Sequence, residues 1–331
     1  MSEPAFSDLV DLAAERLGGA VLLANDEFFA PKESLLKAAS PVWREDAYTD
    51  RGKWMDGWET RRRRTPGHDW CLVRLGLPGV VRGVVVDTSF FRGNYPEACA
   101  LEGVEVDGVP DPESLAADAA TRWHDLVPRT PLAGDSRNAF AVAIERRVTH
   151  LRFRIFPDGG VARLRVHGEA RPALERLAHG RVLDLAAMEN GGFVVVCSDM
   201  FFGHRQNLIL PGRSTHMGDG WETRRRRGPG HDWSIVRLAA RGGVERVELD
   251  TDHFKGNAPG RCSLEWCDAA GADAQALHSS AGWQPLLGET PLQPHARHAW
   301  DVSSGGAATH IRLNIFPDGG VARLRVLGAV A

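Results

Sequence analysis

Short runs of alternating apolar and polar residues fill much of this 331-residue chain. The segments 150–155 and 162–166 alternate in this way, which is typical of a strand with one face on a hydrophobic core. Between them lies FPDGG at 156–160, a turn signal because proline presets one dihedral and glycine accepts positive φ. Further β-branched runs at 84–86 and 101–106 are bounded by turn-forming residues. The pattern predicts a mainly β protein.

One stretch near the N-terminus has helical spacing instead. Apolar residues recur there every three or four positions between Leu9 and Leu17, and the pair Gly18-Gly19 follows. Glycine commonly ends a helix because it adopts the left-handed conformation at little cost. The spacing therefore predicts a short helix over 9–17.

The chain also repeats itself. DGWETRRRRTPGHDW at 56–70 returns as DGWETRRRRGPGHDW at 219–233, with 14 of 15 residues identical at an offset of 219 − 56 = 163. IFPDGGVARLRV at 155–166 returns unchanged at 315–326. Many short strands at such spacing suggest a sandwich of sheets. We predict two tandem jelly-roll β-sandwich domains with short helices, covering residues 1–170 and 171–331.

Composition narrows the function. A formal net charge of −3 argues against a dedicated nucleic-acid or membrane binder, and no apolar run approaches the ~20 residues of a transmembrane helix. The odd count of five cysteines does not indicate a disulfide framework, so we expect a cytoplasmic protein with free thiols. Dinucleotide, P-loop, nucleophile-elbow and paired zinc motifs are absent from the sequence.

The four consecutive arginines of each repeat allow two interpretations. If the block is a strand, Glu59, Arg61 and Arg63 point to one face of it. One interpretation is a solvated, ion-paired sheet edge that prevents edge-to-edge pairing. The other is a guanidinium fork that binds a planar anion such as a carboxylate. The recurrence of the run beside an acidic residue favours the second.

Two further motifs are candidates for chemistry. The GHDW block places His68 beside Asp69, either as a loop cap with the histidine packed on Trp70 or as a proton-transfer group. Asn94 follows a strand and belongs either to a plain turn or to a ligand loop. Here the repeats differ, since Ser89-Phe90 becomes Asp252-His253, and Lys53-Trp54 becomes His216-Met217. The two sites need not be chemically equivalent.

Taken in order, these motifs resemble the allantoicases (allantoate amidinohydrolases) of purine breakdown. The resemblance rests on NDEFFA at 25–30, GKWMDGWETRRRR at 52–64, GHDW at 67–70 and VDTSFFRGNYP at 86–96, with their counterparts in the second copy. It spans nearly the whole chain. It implies tandem jelly rolls like the galactose-binding fold, and hydrolysis of allantoate to ureidoglycolate and urea. No catalytic assignment is carried over from the family.

The substrate indicates which residue types are needed. Allantoate bears a carboxylate and two ureido groups on one carbon, so loss of urea requires an anion grip, an acid and a base. We assign proton transfer to the Glu and His of each repeat, with an Asp to orient the His or a metal-bound water. The catalytic candidates are Glu59, His68, Asp69, Glu222, His231 and Asp232, with Asp87 and Asp250 as alternative orienting groups. The substrate-binding candidates are Arg61, Arg63, Arg224, Arg226, Asn94, Asn257 and His253.

Non-local His, Asp and Glu side chains could also hold a divalent metal ion, which we expect to stimulate activity without a dedicated cage. Beyond allantoate we expect no nucleic-acid or membrane partner, and a homo-oligomer, since duplicated domains commonly assemble symmetrically. The alternative to an enzyme is a non-enzymatic tandem jelly-roll module that binds a small anionic or carbohydrate ligand, for which ten tryptophans could supply platforms. A nucleic-acid patch made by the arginine runs is disfavoured by the net charge.

Overall fold

A computed structural model describes residues 4–173, 177–279 and 282–331. Strands dominate it, which confirms the mainly β prediction. The chain divides into two compact units, Met1–Arg171 and Pro172–Ala331, and the same order of strands recurs in each.

The first unit contains twelve strands and one short α-helix within its described residues. The strands are β1 (Val10–Asp11), β2 (Ala20–Ala24), β3 (Tyr48–Thr49), β4 (Gly52–Lys53), β5 (Trp58–Glu59), β6 (Asp69–Asp87), β7 (Ala98–Val104), β8 (His124–Pro131), β9 (Arg137–Ala141), β10 (Arg147–Phe156), β11 (Gly160–Val161) and β12 (Arg163–Ala170). The helix is α1 (Pro112–Ala117), and 3₁₀ turns cover Ala5–Asp8, Glu15–Leu17 and Lys32–Leu36.

The second unit repeats this plan without the β3–β4 pair. Its strands are β13 (Val182–Asp184), β14 (Phe193–Cys197), β15 (Trp221–Glu222), β16 (Asp232–Asp250), β17 (Arg261–Cys267), β18 (Gln284–Pro291), β19 (Arg297–Asp301), β20 (Ala307–Phe316), β21 (Gly320–Val321) and β22 (Arg323–Val330). The helix is α2 (Ala274–Ser279), and 3₁₀ turns cover Met188–Asn190, Arg205–Ile209 and Met217–Asp219.

One long strand organises each unit. In the first, β6 runs for 19 residues and pairs with four other strands, all antiparallel. Its first half lies between β2 and β10, and its second half lies between β9 and β12. The resulting eight-stranded sheet has the order β1-β12-β6-β10-β7-β8, with β2 and β9 attached to β6. In the second unit the order is β13-β22-β16-β20-β17-β18, with β14 and β19 attached to β16. The specific likeness to the galactose-binding fold stays a prediction.

The repeated motif supplies part of each core. Trp58 is fully buried, and its indole Nε1 donates to the carbonyl of Asp26 at 2.8 Å. Asp56, two residues earlier, accepts from the buried guanidinium of Arg163 at 2.7 Å. A buried arginine is tolerated only when its charge and donors are matched, and here Asp56 and backbone carbonyls match them. The repeated sequence DGW is therefore first a packing element.

The predicted turn at 156–160 is confirmed. It joins β10 to β11, and both copies contain a cis peptide bond before the proline. Gly159 has φ of 138°, and a Cβ there would meet the backbone of Asn94 and Pro96 within 3.0 Å. Only glycine fits this position.

The predicted helix over 9–17 is wrong for most of its length. Val10–Asp11 forms a strand that pairs with Gly168 and His167 of β12, and only Glu15–Leu17 makes a 3₁₀ turn. Gly18 ends that turn with φ of 94°, as the sequence predicted for the stop. A sheet partner distant in sequence outweighs the local helical spacing. In the described part of the chain, no helix has the length and apolar character needed to cross a membrane.

Candidate functional site

In each repeat, the candidate site is built along the turn that contains the cis-proline, Pro157 in the first repeat and Pro317 in the second. The chain from β5 to β6 runs along it: the amide of Thr60 donates to the carbonyl of Gly159 at 3.1 Å, and that of Asp69 donates to Pro157 at 3.1 Å. The Arg63 amide donates to the carboxylate of Asp158 at 2.8 Å. Glu59 therefore lies at one end of the turn and Asp69 at the other. Hydrogen bonds of the same kind fix Thr223, Arg226 and Asp232.

The first part of the candidate site is Glu59 with its hydrogen-bond partner Asn94. Its Oε1 accepts a hydrogen bond from Nδ2 of Asn94 at 2.8 Å, and in the second repeat Glu222 accepts from Asn257 at 2.6 Å. Burial raises the pKa of Glu59, and the hydrogen bond from Asn94 opposes that rise only in part. A carboxyl that keeps its proton to higher pH than usual is suited to proton donation.

Arg61 and Arg224 point to solvent and are ion-paired. The guanidinium of Arg61 is 64% exposed and donates through Nε to Asp26 at 2.6 Å; Arg224 does the same to Asp199 at 3.0 Å. Burial works to raise the pKa of Asp26, but the hydrogen bonds from the amides of Arg61 and Phe28 and from the Arg61 guanidinium outweigh it and lower the pKa. The interpretation of the arginine run as a strand is wrong, since the strand ends at Glu59 and the arginines form a loop.

The half-buried Arg63 is paired with the buried Asp69. Nη1 of Arg63 donates to Oδ1 of Asp69 at 2.6 Å, and the Asp69 side chain is only 2% exposed. Asn25 donates to the same oxygen at 2.8 Å. In the second repeat Arg226 pairs with Asp232, which also accepts from Ser198. These residues fix the loop that carries the histidine, and Asp69 is engaged by Arg63 and Asn25 in this role.

His68 lies apart from Glu59. Its ring packs on Phe156 with a centroid distance of 4.9 Å, and His231 packs on Phe316 at 4.6 Å. Burial, followed by the positive charges of Arg154, Arg63 and Arg152, lowers the pKa of His68. Across the described residues, no hydrogen bond joins Glu59 to His68. The structure thus separates the two predicted proton-transfer groups along the turn.

The rims of the two sites differ as the sequence predicted. In the first repeat, the loop between the 3₁₀ turn Lys32–Leu36 and β3 places Trp43 against the ring of Phe90, with centroids 6.1 Å apart. Nζ of Lys53 lies 4.7 Å from the ring centroids of both Trp43 and Tyr48. In the second repeat, His253 takes the position of Phe90, and its Nε2 lies 3.1 Å from the carbonyl oxygen of Ser214.

Phe90 and His253 share an unusual backbone. Their φ angles are 69° and 70°, the left-handed region that residues other than glycine seldom occupy. Such strain persists only where the surroundings impose it, and it clusters at ligand sites. The left-handed backbone at this position is common to the 87–94 loop and its counterpart, and the ligand-loop interpretation of both stays a prediction.

Sequence reasoning missed a cluster of polar side chains on the eight-stranded sheet of the second unit. Glu265, Arg312 and Asn314 line a cavity of about 480 Å³ together with His231 and Trp233. Glu265 lies on β17, whereas Arg312 and Asn314 lie on β20, so these side chains become neighbours only through strand pairing, which local alternation does not reveal. Within the described residues no group of three or more His, Cys, Asp or Glu side chains gathers into a metal site, so the expected divalent ion has no located ligands.

Both units match one family model, named Allantoicase repeat, over residues 10–171 and 183–331. The chain belongs to the allantoicase family. This membership confirms the resemblance seen in the sequence. A probable allantoicase of Burkholderia mallei is 49% identical over 325 residues, which cover 97% of this chain and 94% of that protein. The allantoicase of Dictyostelium discoideum is 45% identical over 323 residues, covering 97% and 87% respectively.

The fold agrees with an allantoicase of known structure. The crystal structure of allantoicase from Saccharomyces cerevisiae superposes with a TM-score of 0.79 at 33% sequence identity, covering 96% of this chain and 92% of the yeast protein. The likeness extends over both allantoicase repeats, so the duplicated architecture is that of the family.

Proposed function

We infer that the protein hydrolyses allantoate to ureidoglycolate and urea in purine degradation. The observation that carries this inference is that both repeats match the allantoicase family, while proteins named allantoicase align with nearly the full chain. The alignment with the Burkholderia mallei protein covers 94% of that relative and includes both repeats of this chain.

The reaction breaks one bond between the central carbon of allantoate and a ureido nitrogen. Water supplies the hydroxyl of ureidoglycolate, and the departing nitrogen takes up a proton to leave as urea. We propose that Glu59 and Glu222 donate that proton. The buried carboxyl and its Asn partner support this role in Glu59, because a raised pKa retains the proton and the hydrogen bond to Asn94 fixes the direction of the group.

We assign the substrate carboxylate to the exposed arginines. Arg61 and Arg224 are anchored by Asp26 and Asp199 and still present donors to solvent, since both guanidinium groups are largely exposed. A planar guanidinium binds a carboxylate through two parallel hydrogen bonds. Arg63 and Arg226 hold these loops in place through their ion pairs with Asp69 and Asp232. Asn94, Asn257 and His253 complete the proposed set of substrate contacts.

His68 and His231 stay proposed as proton acceptors from water, and Asp69 and Asp232 as the groups that hold their loops. The lowered pKa of His68 supports this, because a neutral imidazole can accept a proton at neutral pH. As neither histidine bonds to the glutamate of its repeat within the described residues, each would act through substrate or water.

Incubation with allantoate tests the function directly. Purified protein should release urea and ureidoglycolate in equal amounts, and the double variant Glu59→Gln/Glu222→Gln should release neither above background. The assay is repeated after chelation and with added divalent ions. Absence of both products in every condition would overturn the proposed hydrolysis and would favour a binding module.

We further propose a cytoplasmic homo-oligomer without nucleic-acid or membrane partners. Cys71, Cys99, Cys262 and Cys267 are buried with free thiols, which supports a reducing compartment. Light scattering during size-exclusion chromatography would measure the mass. A mass of 36.1 kDa, that of one chain, would contradict the oligomer.

A further inference from the structure

The cavity beside His231 has a floor built from one cross-strand ion pair. Arg312 of β20 lies opposite Glu265 of β17 in the sheet, and its Nε donates to Oε2 of Glu265 at 2.6 Å. Asn314 donates through Nδ2 to the same oxygen at 3.0 Å and to Oγ of Ser263 at 3.1 Å. The floor thus gathers one positive charge, one negative charge and an amide side by side.

One carboxylate oxygen of this floor has no protein donor. Of the hydrogen bonds that the described residues make to Glu265, all reach Oε2, and the side chain keeps 27% of its surface exposed to the cavity side of the sheet. Oε1 is therefore free to accept from a ligand. Because the charges of Arg312 and Glu265 cancel, the floor favours a neutral group that both donates and accepts hydrogen bonds.

The wall of the cavity favours a flat molecule and disfavours a sugar. The rings of Trp233 and His278 are stacked, with centroids 4.3 Å apart and planes inclined by 12°. His278 therefore covers one face of the Trp233 ring, and a sugar ring cannot stack on that face. His231, whose Nε2 lies 3.3 Å from Oδ1 of Asn314, closes one end, and Leu287 lines the cavity as an apolar side chain.

In the first repeat, the corresponding glutamate, Glu102, has no free carboxylate oxygen. The position of Asn314 is held by Arg154, which lies opposite Ala100 as Asn314 lies opposite Ser263. Nε of Arg152 is ion-paired with Oε2 of Glu102 at 2.7 Å, and Nη2 of Arg154 is ion-paired with Oε1 at 3.1 Å. Both oxygens are thus occupied, and the Glu102 side chain is only 11% exposed. The contact from Arg154 to Oε1 therefore leaves the first repeat without a free carboxylate oxygen at this position.

We propose that this cavity is a ureido-binding site present in the second repeat alone. The N–H groups of a ureido moiety donate to Oε1 of Glu265, and its carbonyl accepts from Arg312. Small ureido acids and urea itself belong to this chemical class. The choice of a ureido compound rests on the proposed function, whereas the free acceptor and the planar wall do not.

N-Carbamoylglycine is the probe, because it carries one ureido group and one carboxylate on a CH₂ carbon. Binding to the full chain is measured by calorimetry or ligand-observed NMR. Asn314→Arg, which copies the first repeat, should weaken binding at least about tenfold, a loss of roughly 1.4 kcal/mol. The matched variant Arg154→Asn, which frees Oε1 of Glu102 in the first repeat, should not weaken binding at the second-repeat site. Asn314→Leu, similar in size and without the amide, should also weaken it and serves if the arginine variant does not fold.

Wild-type affinity in both Asn314 variants would overturn the proposal. So would an equal loss in Arg154→Asn, or binding of methyl galactoside in place of N-carbamoylglycine. The binding assay requires no turnover. Probe binding without release of urea from allantoate would therefore contradict the proposed hydrolysis alone, and release of urea without Asn314-dependent binding would contradict the ureido site alone.

Discussion

The side-chain amide of Asn94 donates to the carboxyl of Glu59 at 2.8 Å, and Asn257 repeats this bond to Glu222 at 2.6 Å. In each repeat the two partners are 35 residues apart. The bond persists although Phe90 in one loop has become His253 in the other. Both copies therefore retain the same Glu–Asn pair, which we propose as the proton donor, beside rims of different chemistry.

Replacing these glutamates should separate the contributions of the two repeats. We expect Glu59→Gln and Glu222→Gln each to keep roughly half of kcat, and the double variant to lose ~10²–10⁴-fold, because glutamine cannot transfer a proton. Urea release under saturating allantoate measures this. Glu113→Gln, an exposed change in α1, is the control. A loss below tenfold in the double variant would remove the glutamates from the mechanism.

The exposed arginines should affect substrate binding more than stability. Arg61→Lys and Arg224→Lys replace a planar guanidinium, which binds a carboxylate through two hydrogen bonds, with a single ammonium group. Together the two changes should raise KM about tenfold and change kcat less than twofold. The free energy of unfolding should fall by less than ~1 kcal/mol, as is usual for exposed ion pairs. Steady-state kinetics and guanidinium denaturation measure the two effects. An unchanged KM would show that the carboxylate is held elsewhere.

Replacing Arg63 should affect the stability of the fold more than substrate binding. Arg63→Ala leaves the buried carboxylate of Asp69 without its counter-charge, so unfolding should become easier by about 3 kcal/mol. The double change Arg63→Ala/Asp69→Asn should recover part of that loss, since it removes the stranded charge. Arg226→Ala offers the same measurement in the second repeat. A loss under 1 kcal/mol would mean that Asp69 finds another donor.

His310 should make the second repeat sensitive to acid. Burial, with Arg237 adding positive charge, lowers the pKa of His310 to about 4 from an unfolded value near 6.5. Between those values the unfolded chain binds a proton that the folded chain refuses, so stability is lost as the pH falls from 6.5 toward 4. His310→Asn should reduce the loss between pH 7 and 4.5 by roughly 2 kcal/mol. Equal pH profiles for both proteins would contradict the shifted pKa.

Local pattern was sufficient for several strands and for the turn at 156–160. Alternation at 150–155 predicted β10, and FPDGG predicted the turn that follows it, because side-chain period and turn geometry are short-range properties. It failed at residues 9–17, where Val10 pairs with Gly168. No window of the local sequence contains that partner.

The sequence by itself determined the duplication, the mainly β class and the family, because these depend on residue order and periodicity. Only the tertiary structure decided which candidate side chains meet. It joined Glu59 to Asn94 and Arg63 to Asp69, separated His68 from Glu59, and assembled Glu265, Arg312 and Asn314 beside His231. Arg63 and Asp69 are only 6 residues apart, but the other contacts join segments 35 to 83 residues apart through strand pairing and register. Local periodicity carries no record of such pairing.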